Sequence, residues 1–204
     1  TGRRKSPAPQ IDRATAENII EDGRGWTNKD RTSFYAAMST EILLQRLANW
    51  SPVVRERAAM ELGRRNEAEI VPGLLGLLQG KNKNGRVGAC QGIIFQRGRA
   101  EAAVPLLRKA LRSSDLWLRI KAAEALATIG KPAQVAVPEL IARLSRKASS
   151  KDPRNMEQRY LTFALFSHNK GLIGKDLEGI DRKALLKAVR ASLLNQDGRA
   201  RGAV

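Results

Sequence analysis

Between residues 50 and 147 the apolar positions recur with a helical period rather than a strand period. The dipeptide Val-Pro occurs at Val71-Pro72, Val104-Pro105 and Val137-Pro138, at intervals of 33 residues. Leu74, Leu107 and Leu140 stand two residues beyond each proline, and Leu78, Leu111 and Leu144 six beyond. A separation of four residues is about one turn, so each pair shares a helical face. Proline is tolerated in a first helical turn, where its missing N–H has no partner to lose. Each Val-Pro therefore predicts a helix start. A second helix is predicted ahead of each. There Arg55, Arg86 and Arg119 are followed by the small pairs Ala58-Ala59, Ala89-Cys90 and Ala122-Ala123, then by Leu62, Ile93 and Leu126. Small side chains at one level let a neighbouring helix approach closely, and the larger ones fill the gap a turn away. Gly63 and Gly130 are expected to close two of these helices. Ser51-Pro52 and Ser114-Asp115 are expected to open two.

The unit is a helix, a tight turn, a second helix and a short link. One such hairpin cannot bury its apolar faces alone, so consecutive hairpins must stack. The run S-P-V-V-R-E-R-A-A-M-E-L-G from Ser51 resembles the HEAT repeat. So does S-D-L-W-L-R-I-K-A-A-E-A-L-A-T-I-G from Ser114, followed by A-V-P-E-L-I from Ala136. The resemblance covers residues 50–147 strongly. It implies an all-α fold, a right-handed α-solenoid of about four to five HEAT-type helical hairpins. It is nearly silent on function, because such repeats serve scaffolds, transport factors, lyases and DNA repair enzymes alike.

Full repeats are expected at about 51–80, 83–113 and 114–147, with diverged ones at about 10–50 and 153–195. In the first flank Ser33–Leu47 reads as one helix and Ile11–Glu21 as a shorter one. In the second, Asn155–Phe166 and Arg182–Leu194 read as helices, the latter capped by Asp181, with a long connection from Ser167 to Gly179. Leu193, Asp197 and Arg201 repeat the spacing of Leu111, Asp115 and Arg119, so residues 196–204 read as the start of a truncated repeat. Thr1–Pro9 reads as a disordered or extended leader to a single solenoid over 10–204, a module of a longer polypeptide.

Composition supports this architecture. Hydrophobic residues are 42% of the chain and aromatics only 4%, so Leu, Ala, Val and Ile must fill the core, as tightly packed helices require. Net charge is +17, and the excess is uneven: residues 81–151 carry 15 basic and 4 acidic side chains. Such a balance implies an acidic partner, a protein or a nucleic acid. Cys90 is the one cysteine and His168 the one histidine, which leaves no internal disulfide and no Cys/His metal site. No cofactor motif, transmembrane segment or signal peptide is read, and the compartment stays open.

Arg55, Arg86 and Arg119, joined by Asp115, are expected to form a structural ladder of ion pairs between hairpins. The candidate binding residues are Lys109, Arg112, Arg143, Arg146, Lys147, Lys183, Lys187 and Arg190. They lie on or just beyond the predicted second helices, taken as the concave side, and could follow a phosphate backbone. Loop residues Lys81, Lys83, Arg97 and Arg99 are placed in the same region. Trp50 and Trp117 could stack on a base, but are expected to pack between hairpins; Trp26 is expected to cap the N-terminal end of the core. Cys90 takes a small-residue core position and should be inert. No catalytic set is read. The basic middle and the W-L-R-x-x-A run at Trp117 are similar to features of HEAT-like alkylpurine DNA glycosylases, which implies a DNA-repair alternative; no residue matches that family's catalytic Asp. Repeat similarity alone suggests a lyase acting on a tetrapyrrole-bearing partner.

Overall fold

The computed structural model describes residues 28–147, 149–167, 171–173, 177 and 179–204. The expected leader, the helix at 11–21, Trp26 and His168 lie outside them. Among the described residues every regular element is helical: α1 (Asn28–Ala36), α2 (Thr40–Arg46), α3 (Pro52–Arg64), α4 (Ile70–Gln79), α5 (Lys83–Gln96), α6 (Val104–Ala110), α7 (Leu116–Ile129), α8 (Val137–Leu144), α9 (Met156–Phe166), α10 (Arg182–Leu193) and α11 (Gly198–Arg201). Short 3-10 segments, Arg97–Ala103 and Lys131–Ala136, lead into α6 and α8. The result is an α-solenoid of antiparallel hairpins, α1–α2 to α9–α10, followed by α11.

Local chemistry sets most boundaries. The Asn82, Asp115, Asp181 and Asp197 side chains each accept a backbone N–H of the first turn that follows them. Pro52, Pro105 and Pro138 sit in first turns. Two expectations are corrected. Residues 33–47 are not one helix: α1 ends at Ala36, and the Ser39 hydroxyl accepts the Ile42 N–H at 3.3 Å to cap α2. An extended serine cap cannot sit inside a continuous helix. Gly63 does not end α3, which runs on to Arg64. A Cβ there would lie 2.5 Å from Phe95 Cβ, so this glycine lets α5 approach α3.

Two layers result. The first helices of each hairpin, α3, α5, α7 and α9, pack directly on one another, while successive second helices, α2, α4, α6, α8 and α10, touch one another far less. Ala58, Ala89 and Ala122 are fully buried, as are Leu74, Leu107, Leu140 and Leu144; Leu78 and Leu111 are nearly so. In a bent two-layer stack the closer-packed layer lies on the inside of the bend. A groove of about 720 Å³ crosses that layer, lined by residues of α3, α5, α7 and α9, including Gln91, Phe95, Lys121 and Tyr160. The concave side is therefore built from first helices, and the expectation that second helices line it is corrected.

Candidate anion-binding cleft

Each first helix begins at one edge of the stack, and a common device holds that edge. The side chains of Asn49, Ser113 and Asn195 accept the backbone N–H of Ser51, Asp115 and Asp197, at 2.8, 3.1 and 2.9 Å. Four residues into each helix an arginine folds back over the loop. Arg55 Nη1 donates to the carbonyls of Asn49 and Trp50 at 2.7 and 2.8 Å. Arg119 Nη1 donates to Ser113 and Ser114 at 2.9 and 3.0 Å, and Arg201 Nη1 to Asn195 and Gln196 at 2.7 and 3.0 Å. Arg86 occupies the same register, but Gly80 stands where the others have Asn or Ser, and among the described residues the Arg86 guanidinium takes no hydrogen-bond partner. Of the ladder arginines, Arg55 and Arg119 therefore act first on their own loops, and Arg86 does not.

Ion pairs between hairpins add to this at the C-terminal half. Arg119 meets Glu157 of the next first helix through Nε–Oε1 and Nη2–Oε2, both 2.7 Å, and Arg143 of α8 bonds the same carboxylate. Asp115 pairs with Lys83 of the preceding hairpin at 2.8 Å rather than with a ladder arginine, and Asp197 pairs with Arg159 at 2.8 Å. Arg55 meets the neutral Gln91 at 3.3 Å, and burial lowers its pKa. Burial by itself would raise the Glu157 carboxyl, but hydrogen bonds and charge from Arg119 and Arg143 outweigh it and hold that pKa below the ordinary value. Hydrogen bonding to Glu157 in turn raises the Arg119 pKa. Burial also opposes ionisation of Asp115, and is outweighed by Lys83 and the Leu118 N–H, so its pKa is lowered.

Between the starts of α7 and α9 this edge opens into a cleft of about 450 Å³. Its walls carry six cations, Lys83, Arg119, Arg143, Arg146, Lys147 and Lys151, together with Trp117. Three carboxylates also line it, and all are engaged: Asp115 by Lys83, Glu157 by its two arginines, and Asp152 by the backbone N–H groups of Met156 and Glu157, both at 2.9 Å. Arg146, Lys147 and Lys151 are exposed and have no acidic partner among the described residues. The indole of Trp117 is 51% exposed on the wall, and Trp50, at the start of α3, is 48% exposed. The expectation that these tryptophans pack between hairpins is corrected: both stand at helix starts on the open edge, ahead of the positions the next hairpin covers.

The eight candidate binding residues do not come together. Arg143, Arg146 and Lys147 line the cleft, though Arg143 is bound to Glu157. Lys109 and Arg112, at the end of α6 and just beyond it, and Lys183, Lys187 and Arg190, on α10, are exposed elsewhere on the second-helix layer. Lys83 reaches the cleft, but Arg97 and Arg99 lie at the other end of α5, about 20 Å away along fourteen residues. Arg99 is occupied there by the carbonyls of Gly63 and Arg65, both at 2.9 Å. Lys151 and Glu157 were not singled out from the sequence.

Residues 71–155 match the family model for HEAT repeats. This stretch carries HEAT repeats. Among the solved structures it resembles is the crystal structure of an engineered protein, 18% identical, with a TM-score of 0.54 over 94% of each chain. That likeness concerns the fold alone. A comparison with curated proteins finds no match. In the HEAT array Cys90 is fully buried and its thiol pKa is pushed up by burial to about 12, which makes it a packing residue rather than a nucleophile. Glu139, on the second helix α8, is bonded by Arg108. No described helix of the HEAT array is long and apolar enough to cross a membrane.

Proposed function

We infer that the chain is a binding scaffold whose HEAT array presents the cleft at Trp117, Arg146, Lys147 and Lys151 to an anionic partner. One observation carries this reading. Every carboxylate lining the cleft is already engaged by the protein, whereas these three cations are not. Favourable charge therefore remains for a partner. The same accounting weighs against the glycosylase alternative. Base excision needs a carboxylate free to act beside an aromatic, and none of the three next to Trp117 is free.

The test sets location against net charge. One variant reverses Arg146, Lys147 and Lys151 to Glu. A second reverses Lys183, Lys187 and Arg190 to Glu, with an equal change in charge. On an immobilised polyanion such as heparin, the first should elute at clearly lower salt than the second. Equal elution of the two would mean that only overall charge matters, and would overturn the assignment to the cleft.

A further inference from the structure

We propose that the cleft takes a single-stranded stretch of nucleic acid, with one base stacked on Trp117 and successive phosphates on Arg146, Lys147 and Lys151. This rests on the anion-binding reading above and narrows it to one class of partner.

The argument begins with Trp117. Aromatics are 4% of this chain, and a tryptophan left half exposed beside unpaired cations forgoes much of the burial that a large indole offers. It occupies the first turn of α7, and its loop is fixed from both sides, by the Ser113 hydroxyl on the Asp115 N–H and by Arg119 on the Ser113 and Ser114 carbonyls. The platform is therefore held in place before any ligand arrives. Facing it are Arg146, Lys147 and Lys151, in a link that is longer in sequence than the other links between hairpins. First-helix caps stand at Ser51, Asn82, Asp115 and Asn155, so the step is 31, then 33, then 40 residues. The extra residues carry Lys147 and Lys151 and are anchored by Asp152, which is 5% exposed and caps the start of α9 through two backbone N–H groups. The longer link thus places unpaired cations opposite a flat aromatic surface.

Those two features together select the ligand. An acidic peptide would use the cations and leave the indole without a role. A duplex would offer the denser charge, yet its bases are stacked inside, where a wall-mounted tryptophan cannot reach a base face. A single strand supplies both an anionic backbone and free base faces, and stacking of this kind tolerates any sequence because every base has a π-face. The volume of about 450 Å³ lies in the range of ~300–1,000 Å³ that holds ligand-sized groups, so it suits a splayed nucleotide and not a helix.

The whole chain should be titrated with a labelled oligothymidylate of about twelve nucleotides, an abasic strand of equal length, a duplex of equal length and polyglutamate. Oligothymidylate should bind at least about fivefold more tightly than the abasic strand. Trp117→Leu should remove that difference and Trp117→Phe should keep most of it, with unchanged urea midpoints showing that both variants fold. The log–log salt slope should be near −2, about −0.7 for each of three phosphates on a single strand. Equal affinity for oligothymidylate and the abasic strand, or a stronger preference for duplex, overturns the stacking proposal. If polyglutamate then binds as well as any strand and the Arg146, Lys147 and Lys151 reversal abolishes it, the scaffold reading stands with an acidic protein as partner. If no polyanion binds, both readings fall.

Discussion

Arg119 and Glu157 meet as a fork, Nε to Oε1 and Nη2 to Oε2, both at 2.7 Å, across the boundary between α7 and α9. The side chains are 9% and 15% exposed, and Arg143 shares the same carboxylate. Removing the acid would strand two largely buried guanidinium groups. Glu157→Gln should therefore cost roughly 3 kcal/mol of stability. Lys83→Gln removes a partner whose side chain is 75% exposed and should cost under about 1 kcal/mol. Urea midpoints of the two variants check the contrast, and similar losses would contradict it.

The same carboxylate sets a dependence on pH. Its pKa is lower folded than its ordinary value of 4.5, so its contribution is complete above that value and disappears as the pH falls from 4.5 through the folded pKa. Asp115, lowered from 3.8, adds a loss beginning still lower. Urea midpoints should hold steady from neutrality to about pH 5 and then fall. In Glu157→Gln the decline should be shallower; an identical slope in both proteins would refute the assignment.

Two glycines should respond to alanine with opposite signs. A Cβ at Gly88 would lie 2.0 Å from the Leu47 carbonyl oxygen, where α5 passes the end of α2, and backbone cannot yield cheaply. Gly88→Ala should cost about 1–3 kcal/mol. Gly76 sits in α4 with nothing within 4 Å of an added Cβ. Gly76→Ala should stabilise by about 1 kcal/mol through helix propensity. Thermal melts of the pair test both signs at once.

Arg97 ends α5 at φ 54° and ψ −134°, almost the backbone of Gly130, which ends α7 at φ 80° and ψ −135° one repeat later. Only one of the two is glycine. Arg97→Gly should relieve left-handed strain and raise stability by about 1 kcal/mol, and a lowered melting temperature would show that the arginine side chain more than compensates.

The hairpins were legible because each leucine, proline and alanine pair repeats at a spacing that only stacked helices can bury. Which layer turns inward was also written in those residues, though it was not read: alanine pairs at 58–59 and 122–123 set a closer helix spacing than leucines do, and the closer layer is the inner one. The cleft was only half legible. Arg143, Arg146 and Lys147 stand out by charge, but Glu157 lies 38 residues from Arg119 and no local pattern links them. The start of α9 at Asn155 was legible, but its cap is Asp152, three residues further back, and no local pattern brings Lys151 to the cleft.

The unequal packing of the two layers also determines how such an array can flex. First helices touch through alanine and glycine, which leave little slack for compression, so curling more tightly meets a hard stop. Second helices touch one another less and can fan apart or draw together at smaller cost. The array therefore behaves as a one-sided spring, with its pivot line along α3, α5, α7 and α9. The loops at the starts of those helices lie close to that line and move least, so the indole of Trp117 and the cations across from it keep their spacing while the outer helices breathe.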